Sequence, residues 1–462
     1  MAILNKYMFR EYDIRGRESA QELNPQSIEL IAKGYGTYLR ARDIRTAVVG
    51  HDNRATSEAF YAAAVRGLVS TGIQVIGLGT TLTPMMYWAQ YYYKSLGGLM
   101  VTASHNPAGW NGVKLAGGYS YTLMSEELQE IYAIIEKESF ASGVGTFEQK
   151  NMLQAWQEDL LSRATLQKPL RVVLNTGNGT AGIFAPALLR QFGCEIIEQN
   201  TTPDPTYPHY VPNPANVEMM QDLGRQVVES KADIGIAIDA DGDRLGVCDE
   251  RGELLWPDMW LILLARQALR ATPQAHIVFD VKCSEALSED ILAHGGVPVM
   301  WKTGHAYMKQ KMKEVQAVFA GEQSGHVYFA QNYYGFDDAS FTALKLLEYV
   351  SAQTIPVSQL LLDAPKYFST PAYHMAATDE SKYAIAQKII AQFKTEGFRV
   401  LDLSGGRIYM HDGWGLIRAT SNTPQIEVRC ESKSEEGLQK IEQEMRNRLK
   451  QFPEVSTEWE SA

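Results

Sequence analysis

One α/β unit is written three times along this chain, and that repetition constrains the fold more than any other feature. Each copy runs strand, polar loop, helix, glycine-marked strand, helix and a last apolar strand. The first holds Ala47-Val48-Val49-Gly50, Gly72-Ile73-Gln74-Val75-Ile76 and Gly98-Leu99-Met100-Val101. The second holds Val172-Val173-Leu174-Asn175, Gly193-Cys194-Glu195-Ile196-Ile197 and Ile234-Gly235-Ile236-Ala237-Ile238. The third holds Ile277-Val278-Phe279-Asp280, Gly296-Val297-Pro298-Val299-Met300 and Ala317-Val318-Phe319-Ala320. Strands alternating with helices predict α/β layers. Ligands of such sheets sit beyond the carboxyl ends of the strands, so three ends facing one another would frame a central cleft.

The expected domains are residues 1–151, 152–253 and 254–364, with a fourth over 365–462. In that last part a helix is predicted at 380–394, with Ala384, Ile385, Ile389, Ile390 and Phe393 at helical spacing. Strands at 398–401, 407–410, 415–418 and 425–429 follow, then a helix at 435–450. Strands grouped between helices predict a smaller α+β domain. A chain of 462 residues accommodates this count.

Lys and Arg number 43 against 54 Asp and Glu, a formal charge of −11, which argues against a nucleic-acid partner. An anionic substrate then requires a local positive pocket. The four cysteines, Cys194, Cys248, Cys283 and Cys430, form no C-x-x-C pair and read as reduced thiols. The start of the chain lacks a secretory pattern, and its most apolar helix, broken by Arg266, is too short for a bilayer. A soluble cytoplasmic protein without a membrane partner, monomeric or a small homo-oligomer, is expected.

Each repeat ends in a different reactive loop. Asp239, Asp241 and Asp243 alternate directly after an apolar strand. Three carboxylates in one tight turn repel one another unless a cation joins them, and oxygen ligands favour Mg²⁺ before Ca²⁺. The D-x-D-x-D start and Glu250 mimic a calcium loop, but Arg244 stands where that loop needs glycine, and a strand precedes it. Ser104, flanked by Thr102, His105, Asn106 and Pro107, has no G-x-S-x-G elbow around it. A serine paired with the aspartate loop points to phosphoryl chemistry. Asn111-Gly112 reads as a turn that brings Lys114 back toward that serine. Glu322, Ser324 and His326 alternate in the third loop and suit the hydroxyls of a sugar. Arg418, Thr420, Ser421, Asn422 and Thr423 form a candidate phosphate cradle, to which Arg15 and Lys282 could add charge. His305, after Thr303-Gly304, is ambiguous by itself.

Gly177-Asn178-Gly179-Thr180-Ala181-Gly182 matches a dinucleotide fingerprint, with Glu198 near the position of a ribose-binding acid. An NAD-dependent oxidoreductase is therefore the alternative from another class. Strand-to-helix turns require glycine in any case.

Taken together, the Ser104 loop, the aspartate loop, the Glu322-to-His326 loop and the Arg418 loop resemble those of the α-D-phosphohexomutases, in the family's order and over nearly the whole chain. Phe9-Arg10-Glu11-Tyr12-Asp13-Ile14-Arg15-Gly16 and Gly335-Phe336-Asp337-Asp338 resemble the branch of bacterial phosphomannomutases/phosphoglucomutases. The resemblance implies three similar mixed-sheet α/β domains plus a C-terminal α+β, TATA-binding-protein-like domain around a central cleft. It implies a phosphorylated Ser104, with Asp239, Asp241 and Asp243 binding Mg²⁺ together with that phosphate. Lys114 and His326 would be acid/base candidates, and Arg244 and Arg15 would stabilise the transferring group. Glu322 and Ser324 would bind sugar hydroxyls, with Tyr12, Lys282 and His305 also on the substrate. Hexose 1- and 6-phosphates would be interconverted through a hexose 1,6-bisphosphate, which also serves as activator. A noncatalytic sugar-phosphate sensor is the third reading. The last loop departs from the family's pattern at Thr420, Asn422 and Thr423, which leaves open which of its residues meets the phosphate.

Overall fold

The computed structural model describes residues 4–421, 423–456 and 458–461. They divide into two compact units. One comprises Met1–Trp256 with Ser324–Leu360, the other Pro257–Gln323 with Leu361–Ala462.

The first unit contains two mixed sheets. One has six strands in the order Ile14–Arg17, Trp110–Gly117, Gly97–Val101, Thr46–His51, Gln74–Thr80 and Thr146–Gln149. Its middle is parallel, and Trp110–Gly117 runs antiparallel to Gly97–Val101. All of Gly97–Val101 is buried, as an unbroken apolar run requires when helices cover both faces. Helix Pro25–Ala41 begins where Asn24 accepts the Gln26 and Ser27 amides and Pro25 fills the first turn.

The second sheet orders Leu254–Leu255, Leu245–Cys248, Ile234–Ile238, Arg171–Asn175 and Glu195–Gln199. Here too the fully buried Ile234–Ile238 is followed by an antiparallel return strand, Leu245–Cys248. The serine loop and the aspartate loop are thus equivalent connections, each joining the last apolar strand of a repeat to an antiparallel neighbour.

That return strand corrects one expectation. Asn111-Gly112 is not a turn; both residues lie inside Trp110–Gly117. Gly112 is needed because a Cβ there would stand 2.3 Å from the Ile14 carbonyl oxygen of the adjoining edge strand. Lys114 reaches the site because its strand runs back beside Gly97–Val101.

In the second unit, Val297–Trp301 and Phe319–Gly321 flank His276–Asp280 in parallel. A further antiparallel sheet orders Arg399–Asp402, Gly406–Met410, Gly413–Ala419, Gln425–Ser432 and Tyr373–Ala376. Helices Lys382–Thr395 and Glu435–Leu449 place Ile385, Ile389, Phe393, Ile441 and Met445 against Ile408, Ile417, Ile426 and Val428. Arg407, wholly buried, stacks on Trp414 at 3.7 Å and donates to the Val281 and Cys283 carbonyls. The two sheets of this unit are joined by that guanidinium.

All four cysteines are buried and unpaired. Among the described residues no helix is long and apolar enough to cross a membrane.

The G-x-G-x-x-G turn is filled by the protein itself. Gly177 has φ +53°, and a Cβ at Gly179 would meet the Ala240 backbone at 2.6 Å. At Gly182 it would lie 1.9 Å from the Thr201 carbonyl oxygen, and Glu198 is taken by Thr201 and Arg190. These glycines serve close packing. Gly182→Ala should therefore lower stability by ~2 kcal/mol or more, read as a reduced urea midpoint at unchanged m value.

Candidate active site

The aspartate loop is organised by one oxygen. Asp239 Oδ1 accepts the Gly242, Asp243 and Arg244 amides at 3.1, 2.9 and 3.0 Å, which closes the turn. Gly242, at φ +81°, lets the chain double back. Asp239, Asp241 and Asp243 are all wholly buried, and each offers a carboxylate oxygen within 4.8 Å of the others.

Their oxygens divide into two sets. Lys114 Nζ donates to Asp241 Oδ2 at 3.0 Å and Asp243 Oδ2 at 2.6 Å, and Thr83 Oγ1 donates to Asp241 Oδ2 at 2.6 Å. Among the described residues Asp239 Oδ2 and Asp241 Oδ1 have no hydrogen-bond partner, and Asp243 Oδ1 has only His326 Nε2 at 3.3 Å. Under-coordinated oxygens from three buried acids fit a hard divalent cation. Burial, reinforced by Asp243 and Asp241, raises Asp239 well above the usual carboxylate range. For Asp243 burial acts the same way, but Lys114, His326 and Arg244 outweigh it and the group is held low. Burial opposes the Lys114 charge, yet Asp241 and Asp243 overcome it and keep the ammonium protonated.

Ser104 is buried in the left-handed region at φ +51°, a conformation costing roughly 1–2 kcal/mol outside glycine. Its surroundings hold it there. Ser104 N donates to Thr102 Oγ1 at 2.8 Å. Arg54 Nη2 donates to the Ser104 and Asn106 carbonyls at 2.6 Å, and Nη1 to those of Pro107 and Trp110 at 3.0 Å. Arg15 grips the same loop through the Ala103 carbonyl and Asn106 Oδ1, with Asp13 on its other edge. Tyr12 is buried just before it.

The serine and aspartate loops adjoin. Lys114, on the strand returning from the serine loop, binds two of the acids, and the Thr83 amide donates to the Asp241 carbonyl at 2.9 Å. His105, whose Nδ1 is 3.1 Å from Ser104 Oγ, lies in the field of Arg244, Arg15, Asp243 and His326. Burial first, then the Arg244 and Arg15 charges, push this imidazole well below its usual range. His326 Nδ1 lies 2.8 Å from Ser324 Oγ. Its Nε2 faces an acceptor, Asp243 Oδ1, and a donor, Arg244 Nε, each at 3.3 Å. A ring nitrogen between an acceptor and a donor can both take up and give back a proton.

The remaining candidates lie in the second unit. Glu322 Oε1 accepts the Gly304 amide at 2.7 Å, at the start of helix His305–Val315, and Glu322 and His305 are both buried. Arg418 lies next to the end of strand Gly413–Ala419 and pairs with Glu427 at 2.7 Å, and Lys282 Nζ is 3.5 Å from the same carboxylate. Thr420 Oγ1 and Thr423 Oγ1 are 2.9 Å apart. Lys382 Nζ fixes this turn by donating to the Thr420 and Thr423 carbonyls. Ser421 sits between them, and Asn422 lies outside the described residues.

Arg54, Thr83, Lys382 and Glu427 escape the sequence reading. A signal existed for Arg54 alone: His51-Asp52-Asn53-Arg54 is a polar run at the carboxyl end of an apolar strand, where site residues gather.

Comparison with known proteins gives a consistent result. Residues 6–142 match the profile of phosphoglucomutase/phosphomannomutase, alpha/beta/alpha domain I; residues 151–252 match domain II, and 256–368 domain III. The phosphomannomutase/phosphoglucomutase of Pseudomonas aeruginosa is 37% identical over 96% of this chain and 95% of its own. A phosphoglucomutase of Neisseria gonorrhoeae is 33% identical over 98% and 99%. The crystal structure of a phosphoglucomutase/phosphomannomutase family protein from Burkholderia thailandensis superposes with a TM-score of 0.89 at 33% identity, over 97% of this chain and 98% of that one.

The grip on the serine loop is testable without any assay of activity. Arg54→Ala breaks a buried pair with Asp52 and strands four carbonyls, so thermal unfolding should show a loss of ~3–5 kcal/mol. Arg54→Lys keeps the charge but loses the planar fork and should recover only part of it.

Proposed function

The chain belongs to the phosphoglucomutase/phosphomannomutase family, and on that basis we propose that it interconverts hexose 1-phosphate and hexose 6-phosphate, with mannose or glucose as the sugar. One observation carries this reading for the chain's own residues. A strained, buried serine lies in the loop whose return strand carries Lys114, and Lys114 binds two of three buried aspartates that keep under-coordinated oxygens, all in one unit.

Ser104 Oγ is the phosphoryl carrier. Asp239, Asp241 and Asp243 would hold Mg²⁺, which supplies neutralisation of phosphoryl oxygens as charge develops. The first transfer breaks the bond from phosphorus to Ser104 Oγ and forms one to the free 1- or 6-hydroxyl of a hexose monophosphate. The product is a hexose 1,6-bisphosphate, traces of which would also activate unphosphorylated enzyme. His326 Nε2 takes the proton of the attacking hydroxyl, a role supported by its paired contacts with Asp243 and Arg244. Lys114, kept as an ammonium, is better suited to stabilising charge than to acting as a base. Arg15 fixes the serine loop through Ala103 and Asn106, and Arg244 adds positive charge beside His326. Reorientation of the bisphosphate brings its other phosphate to Ser104, and the reverse transfer releases the isomer. Glu322 and Ser324 are assigned to sugar hydroxyls, His305, Lys282 and Tyr12 to the substrate, and Arg418 with the 420–423 turn to the non-transferring phosphate.

A coupled assay of glucose 1-phosphate with Mg²⁺ and a trace of glucose 1,6-bisphosphate tests the cycle. Ser104→Ala should reduce turnover by at least ~10³-fold, while binding of the sugar phosphate persists; full turnover in that variant would end the scheme. Binding without turnover in the intact protein would favour the sensor reading. Mg²⁺ should raise the melting temperature of the parent protein, and Asp239→Asn should abolish that rise. The same assay run on mannose 1-phosphate gives the preferred epimer.

A further inference from the structure

Strand Gln425–Ser432 lies inside the C-terminal sheet, where Ile426 and Val428 are wholly buried. Between them sits a carboxylate, Glu427, only 2% exposed. It stands directly across from Arg418 on one neighbouring strand and from His374 on the other. Its Oε2 accepts from Arg418 Nη1 at 2.7 Å. Its Oε1 has no hydrogen-bond partner among the described residues and faces the Lys282 ammonium at 3.5 Å. Lys282 is fixed in turn, because its carbonyl accepts from Arg429, which is paired with Asp258 at 2.9 Å. Arg418 of the assigned phosphate clamp and Lys282, assigned to the substrate, therefore share an internal counter-anion. Burial works against the Glu427 charge, but Lys282, Arg418 and His374 overcome it and hold the carboxyl well below its usual range.

From this juxtaposition we infer that Glu427 is a positioning residue that limits how tightly Arg418 and Lys282 hold a phosphate dianion. The inference rests on the reading of the Arg418 loop as the clamp. Glu427 fixes the direction of the guanidinium through one hydrogen bond. Its fixed negative charge also opposes any second anion drawn to the same two cations. A clamp that must release one end of a bisphosphate and accept the other gains nothing from uniformly tight binding, which would only deepen the bound state.

Glu427→Gln separates these effects, since the amide oxygen can still accept from Arg418 while the charge is gone. Removing a repelling charge near a buried cation pair should lower KM for the hexose phosphate and the inhibition constant of inorganic phosphate, each about five-fold or more. The rise in melting temperature on adding phosphate should grow, and kcat should fall as release slows. A residue that merely supported Arg418 would do the reverse, so unchanged or raised KM and inhibition constants overturn the inference. Should the Gln variant fail to fold, Glu427→Asp draws the charge back from Arg418 and should lower the phosphate inhibition constant by a smaller factor; no decrease overturns the inference equally. Arg418→Ala separates the premise from the conclusion. If it leaves phosphate inhibition unchanged, the clamp reading fails. If it weakens phosphate while Glu427→Gln does not tighten it, only the role of Glu427 is lost.

Discussion

Three carboxylates enclosed in one hairpin turn would drive the turn apart without compensation. At 4 Å and an effective dielectric constant near 20, two like charges repel by roughly 4 kcal/mol. Lys114 answers this by placing one ammonium against Asp241 and Asp243, while three backbone amides take up Asp239 Oδ1. The compensation is partial, because an oxygen of Asp239 and one of Asp241 remain without hydrogen bonds among the described residues. That residual negative field lies beside the loop whose serine would carry a phosphoryl group. The rest of the first unit can be understood as scaffolding for this meeting. A return strand delivers Lys114, Thr83 caps Asp241, and Arg54 and Arg15 clasp the serine loop from behind.

Charge compensation recurs in the second unit in another form. Arg407, Arg429 and Lys382 are buried cations whose donors go largely to backbone carbonyls or acids of other segments. Arginine suits such posts, since its planar fork serves several acceptors at once. Glu427 differs from these structural pairings because its partners, Arg418 and Lys282, are residues assigned to the substrate, Arg418 to its phosphate. A pairing that elsewhere only supports the fold here bears on the affinity of a ligand.

The legible residues and the hidden ones differ in how they act. Asp239, Asp241 and Asp243 could be read because three acids alternating after an apolar strand have few purposes, and Ser104 because its loop follows the equivalent strand. Lys382 and Glu427 could not, because each acts on groups contributed by other segments and nothing local in the sequence marks such a partner; Arg54 offered only the polar run that ends its strand. Asn111-Gly112 was misleading for a related reason. The pair has the composition of a turn, yet its glycine is required by the approach of Ile14 from an edge strand almost a hundred residues away in sequence. The dinucleotide-like turn misled similarly: Gly179 and Gly182 are required by Ala240 and Thr201, not by a pyrophosphate.

By itself the sequence determined the repeated α/β architecture, the smaller C-terminal domain and which reactive residue types the loops carry, because hydrophobic period and short-range spacing are local properties. Only the tertiary structure decided that the serine and aspartate loops are each closed by an antiparallel return strand, that Lys114 bridges two repeats, and that Arg418 faces an acid across the sheet. These depend on strand order and register, and a one-residue slip in register would turn every such side chain to the other face.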